Sequence, residues 1–399
     1  MNNSKTKMAF IIMLLVLVAF VPSVSAQEND YSVTTVKAFE YANANMIDFI
    51  TGNAPGFENW KGASIDPKPL ELYDINGQKL FYQFSVYKAK KLIGTIDVCT
   101  DKTLGHSIND ITFDPEPYKA VEAIKKSKEI AKKNYPAGEI KSTIMVVYSY
   151  PRVGAMTLVK DKATGVKHRI FVDAYTLDEI KDKPATEKEP GVWSMYSQIS
   201  KNEKENNLKE WQKSDQLTKY IEEAAANKGV NINAAVTEEN IKKLSGSAAV
   251  TASTSKKLGV PIRGQEDDYY CGEACIQMIS LYYGYPTPTQ TSIFKYFFGP
   301  NDQKSGLNID EMIQWASVKW GKTGTLTSSC TSSGAINEIN SYKPFYSLTR
   351  DHYRVCQGYL IQNGYYYMYI NDPLPVGSNG TSKIEKIGSG TERQRIYVH

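Results

Sequence analysis

The sequence predicts an α+β fold in two parts, and three observations carry that reading. Helix-like and strand-like stretches are segregated into runs. A pattern of one helix and then three strands occurs twice within the first 182 residues. The last third opens on helix-like segments and ends in a Tyr-rich hairpin.

The first element is an amphipathic helix over residues 31–50, YSVTTVKAFEYANANMIDFI. A hairpin follows in LELYDINGQKLFYQFSVYK, where Asn76-Gly77 separates two alternating runs, the strongest short-range hairpin signal. A third strand, LIGTIDVCTD, completes the first half. A second helix over 116–134 and strands near 140–149, 154–160 and 167–174 repeat the pattern. The ends TIDVCTDKTLG and IFVDAYTLDEI look alike, so residues 28–182 read as a tandem α+β domain. This module loosely resembles the PepSY-type modules of propeptides and exported inhibitors. His106 and His168 are isolated there and read as surface or turn residues.

Residues 183–257 read as a helical linker and candidate processing segment. KDKPATEKEPG is charged and contains Pro; 193–228 is polar with a thin apolar stripe that includes Trp193, Trp211, Leu217 and Ile221 and needs a partner surface. A short helix near 236–244 ends in GSAAVTASTSKK, which reads as exposed and easily nicked, with a boundary at 245–257.

In the final domain, 258–399, the chemistry starts at PIRGQEDDYYCGEACIQMISLYY. Apolar residues at spacings of three and four after Cys271 predict a helix that starts at or near that residue. A helix start favours a thiolate over a thiol, as a sulfur nucleophile requires. Gln265, six positions upstream, is placed to donate to an oxyanion beside the Cys271 N–H. Further helices are expected at 289–298, at 308–320 with Asn308 as N-cap, and at 334–341. PFYSLTRDHYRVCQGYLIQNGYYYMYINDP then reads as a hairpin about Asn363-Gly364, with His352 opening one strand and Asp372 closing the other. A strict two-residue turn pairs Asp372 with Val355, on the face opposite His352. A longer loop or a bulge brings the two to the same side. Of four histidines, only His352 is well placed to serve Cys271.

Gln265, Cys271-Gly at a helix start, His352-Tyr353 with Gly358-Tyr359, and Asp372-Pro373 form an ordered set. It resembles the papain-like cysteine peptidases, closest to the branch of the bacteriocin-leader (double-glycine) peptidases. The resemblance covers about residues 258–375. It implies a papain-like domain with N-terminal helices and an antiparallel sheet. The implied catalytic residues are Cys271 as nucleophile, His352 as base, Asp372 as its orienter and Gln265 in the oxyanion hole. Glu273 and Asp351 depart from the family pattern, standing where small residues or Pro and Gly are usual. The same four residues also suit another acyl-transfer enzyme, such as a transglutaminase-type or cell-wall amide hydrolase. A catalytically inactive surface binding protein is the non-enzymatic alternative.

Residues 1–26 read as a signal peptide: Lys5 and Lys7, an apolar run over 8–21, then small residues, with cleavage after Ala26. That predicts a secreted or cell-surface protein with no transmembrane segment in the mature chain. Loss of Lys5 and Lys7 lowers a net charge of +4 by two, which argues against a nucleic-acid partner. Five cysteines are an odd and sparse set for a disulfide framework in a chain of 399 residues. No zinc-ligand spacing is present, and no metal or organic cofactor is expected. The expected partners are a protein or peptide substrate and, within the chain, the N-terminal propeptide-like region. That layout suggests a zymogen, with the stripe of 193–228 docked over the catalytic cleft.

Overall fold

A computed structural model describes residues 31–186, 189–232, 237–244, 253–300, 305–388 and 391–399. The signal peptide, and most of the candidate cleavage stretch at 245–257, lie outside the described residues.

In the N-terminal part, helix α1 (Thr35–Thr51) is capped by Thr34, whose side chain accepts the Lys37 N–H. It is followed by strands β1 (Ser64–Ile65), β2 (Leu70–Asp74), β3 (Lys79–Lys88), β4 (Lys91–Cys99) and β5 (Ile108–Phe113). Helix α2 (Ala120–Asn134) precedes β6 (Glu139–Ser149), β7 (Arg152–Lys160), β8 (Lys167–Asp173) and β9 (Glu179–Ile180). The repeat of a helix and antiparallel strands is therefore present. Beyond the three strands expected in each half, the first half carries β1 and β5 and the second carries β9.

Helix α3 (Lys201–Asn227) starts at a capping box between Ser200 and Glu203. Its apolar stripe packs on α1, with Trp211 edge-on to Tyr41 at 5.5 Å between ring centroids. The expectation that this stripe covers the catalytic cleft is thus corrected for its residues on α3, which pack on α1 instead; Trp193, before the helix, reaches Asp351. Helix α4 (Glu238–Leu244) also packs on α1.

Strand β10 (Thr254–Lys257) leads to helices α5 (Cys271–Tyr283), α6 (Gln290–Phe298) and α7 (Ile309–Trp320). The capping box of α7 between Asn308 and Glu311 realises the expected N-cap. After β11 (Gly324–Thr327) and α8 (Ser332–Asn340) come β12 (Phe345–Leu348), β13 (Tyr353–Gln362), β14 (Tyr365–Asp372), β15 (Thr381–Lys386) and β16 (Gln394–Val398).

The main sheet runs β11-β16-β12-β13-β14-β15-β5-β4-β3-β2-β6-β7-β8-β9. Its two halves meet where β15 pairs antiparallel with β5, Glu385 opposite Asp110. The stretches expected as separate modules, 28–182 and 258–399, share this sheet within one unit, Tyr31–His399. The N-terminal core likewise continues into Leu360, Tyr365, Tyr367 and Tyr369 of the C-terminal hairpin. His106 is corrected here too. It is buried, with its ring 4.0 Å from that of Tyr365, because this junction covers it. His168 stacks on Tyr135. None of the described helices is long and apolar enough to cross a membrane.

Candidate active site

Cys271 is the first residue of α5, as its sequence pattern predicts. The helix buries its apolar face against β13 and β12, in a core with Met312, Trp315, Tyr346 and Val355. Gly272 allows close approach here, since a Cβ would meet Leu307 and Met312 at 3.1 Å. The residue before this helix start, Tyr270, makes no side-chain cap to it.

The β13–β14 hairpin turns at Asn363 and Gly364, both with positive φ. Its register shifts between Cys356 and Gly358, and Val355 faces Asn371 rather than Asp372. One extra residue in β13 therefore turns Asp372 to the face of His352, by the bulge that the sequence allowed. His352 Nε2 lies 2.7 Å from Asp372 Oδ1, and both side chains are about 1% exposed. The imidazole is consequently held with its proton on Nε2. His352 Nδ1 has no hydrogen-bond partner. The backbone N–H of Tyr353, the next residue, lies against the Cys271 sulfur and favours its anion.

Asp372 has a second partner that sequence reasoning missed: Lys383 Nζ is 3.0 Å from Oδ2. Lys383 and Glu385 alternate inward on β15, against the usual polar-out pattern, and Glu385 pairs with the buried Arg354. Lys383 and His352 hold the Asp372 carboxyl far below the usual carboxylate range, despite its burial. Burial lowers the His352 pKa, outweighing Asp372 beside it, so the ring is neutral at pH 7.

Gln265 is fully buried. Its backbone N–H donates to Pro373 C=O at 2.9 Å, and its own C=O accepts from Gly377 at 2.8 Å. Gly264 makes this possible, because a Cβ there would lie 1.9 Å from Ser378 O. One N–H of the Gln265 amide donates to Asp267 C=O at 2.8 Å. The loop before Cys271 is thus tied directly to the loop after Asp372. The chain brings Gln265, Cys271, His352 and Asp372 to one end of the sheet.

The helix-start argument for a thiolate is overridden. Burial pushes the Cys271 thiol up to about 12, with the Tyr353 N–H opposing and Glu273 adding to the rise. Glu273 is itself buried with neither oxygen partnered, and desolvation keeps its carboxyl protonated well above the usual range. Cys275 packs in the core, and all five cysteines are free thiols.

The tip between β6 and β7 reaches the residues that precede Cys271 and His352. Ser149 Oγ donates to Asp351 at 2.7 Å, and Trp193 Nε1 donates to the same carboxylate at 2.9 Å. Arg152 Nη1 donates to Asp268 Oδ1 at 3.1 Å and Nη2 to Asp268 C=O at 2.9 Å. Pro151 and Arg152 also line a small pocket with Leu374, Pro375 and Val376, just beyond Asp372. The tip is therefore flanked by the approach to Cys271, the approach to His352 and the loop after Asp372. These contacts join residues more than a hundred positions apart, so no local signal announces them. Asp351, a departure from the family pattern, is one of the groups they hold.

Residues 257–393 match the model of the Peptidase_C39 like family. This segment is similar to the C39-like cysteine peptidases. Solved structures similar to it include a C39-like peptidase from Bacillus anthracis, at 15% identity and a TM-score of 0.29, covering 37% of this chain and 98% of that one. UfSP from C. elegans is similar at 11% identity and a TM-score of 0.28, covering 36% of this chain and 34% of its own. No curated protein matches the chain. Among the described residues of the C39-like domain and the rest of the chain, no group of three or more His, Cys, Asp or Glu could hold a metal ion.

Proposed function

We propose that the chain is an exported cysteine peptidase made in a latent form, with Cys271, His352, Asp372 and Gln265 as its working groups. The reading rests above all on one arrangement. Asp372 takes the Nε2 side of His352, Nδ1 is left without a partner, and the next backbone N–H lies against the Cys271 sulfur.

In the open enzyme the Cys271 thiol passes its proton to His352 Nδ1, and the sulfur attacks the scissile carbonyl carbon. The carbonyl oxygen becomes an oxyanion. The Cys271 backbone N–H and the second N–H of the Gln265 amide stabilise it. The C–N bond breaks as Nδ1–H protonates the leaving amine. Water then attacks the thioester, giving its proton to Nδ1, and the acid leaves as the sulfur takes that proton back. The Nε2 proton stays on the Asp372 side throughout, so Asp372 orients the ring.

Latency is supported by the cover over the thiol. A buried sulfur with a pKa pushed up to about 12 is a poor nucleophile. Displacing the tip at 149–152 rehydrates it and lets the helix start act on it.

The test is labelling with an epoxide-type thiol inhibitor followed by peptide mass mapping, alongside peptide cleavage by the wild-type chain and by Cys271→Ala. Label on Cys271 and cleavage that disappears in C271A support the peptidase. Cleavage retained by a folded C271A chain sinks it.

A further inference from the structure

The tip at 149–152 places the Arg152 guanidinium on Asp268, three positions before Cys271. Arg152 is 7% exposed, and its charge favours the Cys271 anion, though less than the Tyr353 N–H does. Its planar fork spans two acceptors of one residue, the carboxylate and the carbonyl of Asp268. A Lys ammonium does not match that geometry, whereas an arginine does.

The acceptors belong to the C39-like domain and flank its reactive groups. Asp268 precedes Cys271 by three positions, and Asp351 directly precedes His352. The Asp351 charge also reaches Arg152. Among the described residues, neither carboxylate forms an ion pair with a Lys or Arg of the C39-like domain. Asp268 is paired with Arg152, and Asp351 is hydrogen-bonded to Ser149 and Trp193. Withdrawing the tip therefore leaves two carboxylates, close in the chain to Cys271 and His352, without these partners. Two partly exposed carboxylates there favour a cation over a neutral side chain, and the planar fork of an arginine matches the paired Asp268 acceptors.

We infer that Asp268 and Asp351 form an arginine subsite of the peptidase, and that Arg152 fills it in the covered chain. The preferred substrate is then a peptide with Arg at or next to the scissile bond. This inference rests on the peptidase reading of the same site.

The experiment uses the full chain as wild type, Arg152→Ser and Trp193→Phe, the last loosening the tip without touching the arginine. The first readout is the rate at which iodoacetamide labels Cys271. Loss of one charged hydrogen-bonded pair predicts labelling about tenfold faster in R152S. Faster labelling is expected in W193F as well. Nα-acetylarginine amide, added to R152S, slows labelling again. The neutral citrulline amide does not, and adding Asp268→Asn removes the protection by arginine. The second readout is cleavage of matched peptides carrying Arg or citrulline, with the Arg peptide favoured about tenfold in kcat/KM. Equal protection by citrulline, protection that survives D268N, or an unchanged labelling rate in both R152S and W193F overturns the subsite. Arg-selective protection with no cleavage of any peptide leaves the subsite standing and overturns the peptidase reading alone.

Discussion

Trp193 and Asp351 are joined by a 2.9 Å hydrogen bond from the indole N–H to a carboxylate oxygen. The bond links a tryptophan just outside the N-terminal sheet to the residue before His352. Trp193→Phe keeps the apolar body and removes the donor. We expect a loss of about 1–2 kcal/mol in unfolding free energy, read by urea denaturation.

Asp372 orients His352 and neutralises Lys383, so two substitutions separate these roles. Asp372→Asn keeps the shape and weakens control of the ring. Cleavage should fall by about two to four orders of magnitude in kcat, with KM little changed. Asp372→Ala leaves Lys383 buried without its partner and should cost about 3–5 kcal/mol of stability, measured by denaturant unfolding.

Acid should destabilise this end of the sheet in two steps. His352 has a folded pKa below its unfolded value, so the unfolded chain binds the proton first. Its contribution is present above about pH 6.5 and is lost as pH falls below that. Asp372 is also depressed, and its contribution is lost only as pH falls below about 4. Unfolding curves at stepped pH should lose the upper step in His352→Gln and keep the lower one.

Asp48 behaves in the opposite sense. Burial raises its carboxyl to about 7, against hydrogen bonds from Gln362 at 3.1 Å and Asn363 at 2.7 Å. A raised carboxyl stabilises the fold fully below its unfolded pKa and loses that contribution as pH rises to about 7. Asp48→Asn should therefore be more stable than wild type at pH 8, by roughly 2–4 kcal/mol, with the gap closing by about pH 4. A gap that does not change with pH would contradict this account.

Much of the site was legible because its pieces carry local signals. The helix starting at Cys271, the Asn308 cap and the Asn363-Gly364 turn each follow from a few neighbouring residues. The bulge at Gln357 was legible only as a requirement: Asp372 and His352 could share a face if β13 gained a residue, but nothing in VCQGY says where. Lys383 was missed because β15 buries its charged residues, inverting the pattern that identifies a strand. His106 was misread because what covers it, Tyr365, lies far along the chain. Arg152 belongs to a turn whose meaning depends on Asp268, and composition carries no trace of that pairing.

The pairing of β15 with β5, residue by residue from Ser382–Phe113 to Glu385–Asp110, bears on what a backbone cut would achieve. Scission anywhere between residues 244 and 253 yields two fragments that remain neighbours in one hydrogen-bonded ladder, with β10 still anchored to β13 on the downstream side. Such a protein would run as two bands on a denaturing gel and as one species in native sizing. On the latent reading proposed above, activation would then be a matter of lifting one turn away from the site rather than shedding a whole fragment.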